Sequence, residues 1–191
     1  MTTGARPLPA MPLDDFWAIV ETAAARASAE RPFAGRLAAL LASRPRPEIA
    51  AFERRFGELH GALYRWDVWG AAYVIGGGCS DDAFTDFRAG VISLGRDWYE
   101  RVLASPDSLA GHPVARGSDP EELEELLFDE EANYAAHRAF ERTPGEEDRD
   151  ALTAGGPPSG RTAPDMGEGF DFDDEDEVGR RLPGLAALFL A

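Results

Sequence analysis

An all-α fold, an irregular or orthogonal bundle of about five to seven helices sealed by a C-terminal tail, is predicted by three features of the sequence. Phe52, Phe56, Leu59, Leu63 and Trp66 recur at intervals of 4, 3, 4 and 3, and Trp69 and Tyr73 prolong the stripe. Glu53, Arg54, Arg55, Glu58 and Arg65 fall mostly on other faces, so the spacing predicts one long amphipathic helix. Phe84, Phe87, Val91, Leu94 and Trp98 repeat the pattern further on. Between the two runs stand Gly76, Gly77 and Gly78, which end a helix by tolerating left-handed backbone. Ser80 then suits an N-cap, with Asp81 and Asp82 in the first turn where the macrodipole favours carboxylates. The expectation is two helices joined by a glycine corner.

The other elements follow in order. Residues 1–13 read as a flexible lead, after which Asp14 or Asp15 caps a helix with Phe16, Trp17, Val20 and Ala24 on its apolar side. A short helix follows Pro32, with Phe33, Leu37, Leu40 and Leu41 inward, and Pro47 suits the first turn of the long helix. Gly95–Leu103 continues as helix, and Ser105–Ser118 reads as loop. Asp119-Pro120-Glu121-Glu122 opens a last long helix that runs to about Arg142. A helical domain over 14–145 is thus expected, followed by a Gly/Pro-rich linker over 146–169. Residues 170–191, acidic and then apolar, are expected to dock back on the domain, because a free tail has little use for Phe170, Phe172, Leu185, Leu188 and Phe189.

The central run W-D-x-W-G-A-A-Y-x-I-x-G-G-C-S-D-D-x-F-x-D-F-R resembles the bacterial domain-of-unknown-function family 4240. Asp15-Phe16-Trp17, Gly95…Tyr99 and Ser105-Pro106-Asp107-Ser108-Leu109 resemble it too, so the likeness covers most of residues 14–142, and the closing FDFDDEDEVGRRLPGL also resembles the family. The family name carries no reaction, and the resemblance implies a domain rather than a chemistry.

Composition narrows the function. The formal charge is −16, from 35 acids against 19 basic residues, all of them arginine. Such a chain repels phosphate backbones, so nucleic acid is not the expected partner and a basic protein or peptide is. A single cysteine fits a reducing compartment, and no apolar run is long enough for a signal peptide or a membrane span. The expected setting is cytoplasmic, with no membrane partner.

Candidate sites gather at the glycine corner. Asp67, between two tryptophans, requires a partner such as Arg65 or Arg88. The same residues also suit a ligand pocket of Trp66, Asp67, Trp69, Tyr73 and Arg88. Asp82, Glu130 and His137 join Asp67 as candidate acid–base groups. Glu130, Asn133, Tyr134 and His137 would share one side of a continuous helix, as a site wall or a solvent face. Cys79 reads as structural, since Asp81 and Asp82 oppose a thiolate. The triple glycine lacks the strand and lysine of a phosphate loop. Three histidines without a Glu-x-x-His motif argue against a metal centre, and the run Asp171–Glu177 lacks the spaced loop of a calcium site. No cofactor is expected. Two functions remain: a non-catalytic binding, regulatory or accessory module for a protein or peptide partner, or a small tailoring or hydrolytic enzyme using carboxylates at the Trp66–Arg88 corner.

Overall fold

The computed structural model describes residues 9–115, 120–144 and 165–190. The fold is all-α: among the described residues there are helices and no strand beyond one isolated bridge between Ser28 and Arg31. The helices are α1 (Leu13–Ala25), α2 (Phe33–Ala42), α3 (Arg46–Ala62), α4 (Trp66–Ile75), α5 (Asp81–Ser93) and α6 (Arg96–Ala104). A 3-10 turn η1 (Pro106–Gly111) precedes α7 (Pro120–Leu127), α8 (Glu130–Asn133), α9 (Ala135–Arg142), α10 (Glu175–Arg181) and α11 (Pro183–Phe189). They are more numerous and shorter than their periodicity suggests, for local reasons given below. The chain divides into two compact units, one of residues up to 59 together with 134–144, the other of 60–133 together with 165–190.

In the first unit α2 packs against both α1 and α9. Phe16, Trp17, Ile19, Val20 and Ala23 form the buried stripe of α1, and Pro12 rather than an aspartate stands at its N-cap. Asp14 and Asp15 lie in the first turn instead. The Phe16 ring stacks on Phe52 of α3 at 4.6 Å, and each such fully buried side chain contributes about 1.5–3 kcal/mol. Residues 1–8 of the expected lead lie outside the described residues, and at its end Met11 is buried. The Met11 amide donates to the Ala51 carbonyl at 2.9 Å, and its carbonyl accepts from Arg55 Nε at 2.7 Å. The far end of the unit is closed by Arg46, whose guanidinium lies 4.4 Å over the Phe140 ring and donates through Nε to the Thr143 carbonyl at 3.0 Å.

The second unit is built around α5, whose Phe84, Phe87, Val91 and Ile92 are fully buried. It packs against α6, α7 and α8. Gly90 permits the closest of these approaches. A Cβ there would stand 1.9 Å from the Leu127 carbonyl oxygen, so the α5–α7 crossing requires glycine. Gly95, at φ +89°, ends this segment, so Trp98 belongs to α6 and not to the stripe of α5. α11 packs on η1 and α4, and α10 packs on α11. Of the expected linker, residues 146–164 lie outside the described residues.

Two apolar runs break, at three places in all, where continuity is expected. The stripe from Phe52 to Tyr73 is interrupted at Leu63–Arg65. There Leu63 is buried and Arg65 is extended (φ −140°, ψ 148°), while the Trp66 amide donates to the Met166 carbonyl at 3.0 Å. The helix expected over 119–142 breaks twice. Asp129 supplies a capping carboxylate to the Ala132 amide at 3.1 Å, starting α8 afresh, and Tyr134 is the N-cap of α9.

Candidate functional site

The corner after α4 has the geometry its glycines imply. Gly77 takes the left-handed conformation at φ +59°, and the Gly78 amide donates to the Tyr73 carbonyl at 2.9 Å, a Schellman C-cap. The Gly76 amide donates to the Ala72 carbonyl at 3.0 Å. Two of the three glycine amides therefore close the helix rather than face outward to an anion. Ser80 Oγ accepts from the Ala83 amide at 3.2 Å and caps α5. The two helices meet through rings, with Trp69 stacked on Phe84 at 4.7 Å and 13°.

Asp67 sits in the first turn of α4 and is paired with Arg65, not Arg88. Arg65 Nε donates to Asp67 Oδ1 at 3.0 Å, and Nη2 donates to Oδ2. Arg65 is tied down in turn by Nη1 donating to the Leu103 carbonyl at 2.7 Å. About a third of the Asp67 side chain is exposed, so this is a surface pair holding the start of α4.

Arg88 is buried elsewhere, at 7 % exposure. Its guanidinium lies over both the Tyr64 and Phe84 rings, 4.9 and 4.8 Å from their centroids. Nε donates to the Phe84 carbonyl at 3.3 Å, Nη2 to Thr85 Oγ1 at 3.2 Å, and Nη1 to the His60 carbonyl at 3.2 Å. Nη1 also lies 3.1 Å from His60 Nδ1, which must accept, so the ring proton is on Nε2 and points to the Thr85 carbonyl at 2.9 Å. Burial and the neighbouring Arg88 charge lower the His60 pKa to about 4, and burial lowers that of Arg88 to about 10. Sequence reasoning missed His60 in this role, since no spacing rule links α3 to α5.

The aromatic wall is present and covered. Trp66 stacks on Trp69 at 5.4 Å, and residues of the C-terminal segment lie against the same face. Phe172 is 6.1 Å from the Trp66 ring and 5.4 Å from Tyr73, and Phe170 packs edge-on to Phe172 at 4.9 Å. Tyr73 Oη donates to Asp173 Oδ1 at 2.6 Å, and that bond raises the phenol pKa. Gly70 makes room for the segment, since a Cβ there would stand 2.4 Å from Phe170 Cζ. The five residues expected to hold a ligand are therefore split. Trp66, Trp69 and Tyr73 share a face, Asp67 belongs to Arg65, and Arg88 belongs to His60.

The carboxylate candidates divide as well. Asp82 and Glu130 both lie close enough to Asp86 to raise its pKa, after the larger effect of burial, and Asn133 Nδ2 donates to Asp86 Oδ1 at 3.0 Å. His137 lies in the other unit, exposed, 3.3 Å from Glu141 on its own helix. The continuous helix that would have aligned Glu130 with His137 does not exist. Cys79 is half-buried, and desolvation foremost, then Asp81 and Asp86, raises its pKa to about 11 against a lowering from Trp69; a thiol of that acidity is a poor nucleophile at neutral pH. Among the described residues no three His, Cys, Asp or Glu side chains are grouped to hold a metal ion, and no helix is long and apolar enough to cross a membrane.

A further carboxylate joins the segments by a route no local pattern reveals. Asp107 of η1 accepts from the Gly184 amide at 3.1 Å and the Leu185 amide at 2.9 Å, capping α11 from far away in the chain. Its own segment, Ser105–Leu109, is one of those whose resemblance pointed to a family.

No significant match was found among curated proteins or solved structures. A family model described as "Protein of unknown function (DUF4240)" matches residues 11–142, which span both units and every candidate outside the C-terminal segment. The match extends over more than half of the chain, and the protein belongs to the DUF4240 family.

Proposed function

We propose that the chain is a non-catalytic binding or accessory module whose acidic C-terminal face takes a basic polypeptide partner. The observation that carries this reading is the state of the run Asp171–Glu177. Val178, Leu182 and Leu185, all nearly or fully buried, anchor the helices behind it, while Asp171, Asp173, Asp174, Glu175 and Asp176 stay exposed. Asp174 caps α10 and Glu177 pairs with Arg181 at 3.1 Å. The side chains of Glu175 and Asp176 form no hydrogen bond or ion pair among the described residues. Charge gathered at the start of an anchored helix, within a chain of net charge −16, suits electrostatic recognition of a cationic surface. The pairing of Asp67 with Arg65, that of Arg88 with His60, and the high pKa of Cys79 favour this reading over a reacting centre.

The test is purification of the full chain from its own cells at moderate salt, followed by native mass spectrometry. The expected result is one basic polypeptide in fixed stoichiometry, released by roughly 0.5 M salt, where charges are screened within a few ångströms. The triple variant Asp171→Asn, Glu175→Gln, Asp176→Asn should lose it. A partner that is retained by that variant, or a bare chain mass, contradicts the proposal.

A further inference from the structure

Trp66, Gly70 and Tyr73 follow one another at helical spacing on α4 and form a single outward face. The segment 166–173 crosses this face without secondary structure of its own beyond a turn, and it is pinned at both ends. At one end the Trp66 amide donates to the Met166 carbonyl at 3.0 Å, and at the other Tyr73 Oη donates to Asp173 Oδ1 at 2.6 Å. Between the pins the Phe170 ring fills the space that Gly70 leaves, and Phe172 leans on Trp66 and Tyr73. Arg181 of α10 supplies the opposite wall, with its guanidinium 4.8 Å over the Phe170 ring. The receiving surface thus matches a specific chemistry: two rings one residue apart, followed by an acid.

The attachment has two grades. Val178, Leu182 and Leu185 are buried to 0–2 % exposure, and Asp107 caps α11. Phe170 and Phe172 are only half-buried, and the bond from Tyr73 to Asp173 is exposed. The crossing segment can therefore lift while α10 and α11 stay in place. We infer that the outward face of α4 is a peptide-docking site for a partner polypeptide carrying a Phe-x-Phe-Asp segment, and that residues 166–173 occupy it in cis. This goes beyond the acidic-surface reading and does not rest on it. A tethered occupant acts at an effective concentration of order 1 mM, so a free segment binds well only when the tethered one is lifted.

The probe is a fluorescein-labelled peptide with the sequence of residues 165–176, read by anisotropy against the full-length chain. The variant Phe170→Ala, Phe172→Ala should bind it at least tenfold more tightly than the native chain does. Adding Gly70→Ala should weaken that binding, because the new methyl would stand 2.4 Å from the ring's Cζ and the ring must shift to enter. A folded double variant that binds no better than the native chain overturns the inference, as does binding that Gly70→Ala leaves unchanged. Hydrogen exchange on the native chain decides the matter even if the double variant fails to fold. Amides of 166–173 should exchange well ahead of those in 178–189, and exchange of the two stretches as one unit overturns the inference.

Discussion

Arg88 carries a buried positive charge whose hydrogen-bond partners are carbonyls, a hydroxyl and a neutral imidazole, with two neighbouring aromatic rings against its guanidinium. Such a charge is tolerable only while His60 stays unprotonated, and its pKa of about 4 shows how strongly the fold resists that proton. The unfolded chain takes the proton first as pH falls, so this contribution is complete above about 6.5 and is lost on the way to 4. Glu53, on the same helix, works in the opposite sense. Burial raises its pKa to about 7, so the folded chain holds that proton longer, and its contribution is present below about 4.5 and lost as pH rises through 7. At roughly 1.4 kcal/mol per pH unit, each amounts to about 3 kcal/mol across overlapping windows, and the two offset one another. Urea midpoints between pH 4.5 and 7 should separate them. Glu53→Gln should lose stability on acidification more steeply than the native chain, and His60→Gln should gain relative to it. Parallel profiles for all three proteins would contradict both assignments. The sequence offers Arg88 as a partner for Asp67; that it takes His60 instead is not legible, because the two stand 28 positions apart and no local spacing joins them.

At the scale of elements, what is locally encoded is legible. The glycine corner, the Ser80 cap and the stripe of α5 all rest on residues within a few positions of one another. The corner admits a sharp test, since a Cβ at Gly77 meets nothing within 4 Å and only its φ of +59° resists substitution. Gly77→Asn should cost under about 1 kcal/mol, and Gly77→Val roughly 2 kcal/mol more, because a β-branched residue is disfavoured in left-handed backbone. Gly90 is the reverse case. Its neighbour at 1.9 Å is backbone and cannot rotate away, so Gly90→Ala should cost at least about 3 kcal/mol and lower Tm by roughly 6–12 °C. Equal melting of Gly90→Ala and the native chain would show that α7 yields where close packing is inferred. The helix breaks at Leu63–Arg65 and at Tyr134 were not legible. In the first, the Trp66 amide is satisfied by Met166, a hundred positions on, and periodicity carries no trace of that bond. Asp107 makes the same point, since it caps a helix that begins at Pro183. Asp107→Ala should cost about 1–2 kcal/mol and speed hydrogen exchange in 183–189 while leaving α5 protected.

For the molecule as a whole, composition is the ground of the partner proposal: a net charge of −16 without a lysine opposes a phosphate backbone, and the proposed cationic partner rests on it. The residues expected to line a pocket do not form one group. Trp66, Trp69 and Tyr73 do share a face, but Asp67 and Arg88 each belong to another pairing. The occupant of the aromatic face is the chain's own segment, which lies outside the family match at residues 11–142. The tail's apolar residues led to an expectation of docking, yet the surfaces its last helix meets, α4 and η1, are not marked by any local pattern.

The most direct test of the central claim separates a local acidic face from mere net charge. Binding of an arginine-rich peptide to the full chain would be measured by calorimetry at low and moderate salt. The native protein would be compared with the triple variant Asp171→Asn, Glu175→Gln, Asp176→Asn and with a second triple variant of equal charge, Glu21→Gln, Glu30→Gln, Asp97→Asn. All six residues are exposed. The account predicts at least a tenfold loss of affinity for the first variant and little change for the second. Equal losses in both would mean that the chain attracts cations only through its total charge, and the proposed face would fall with that result.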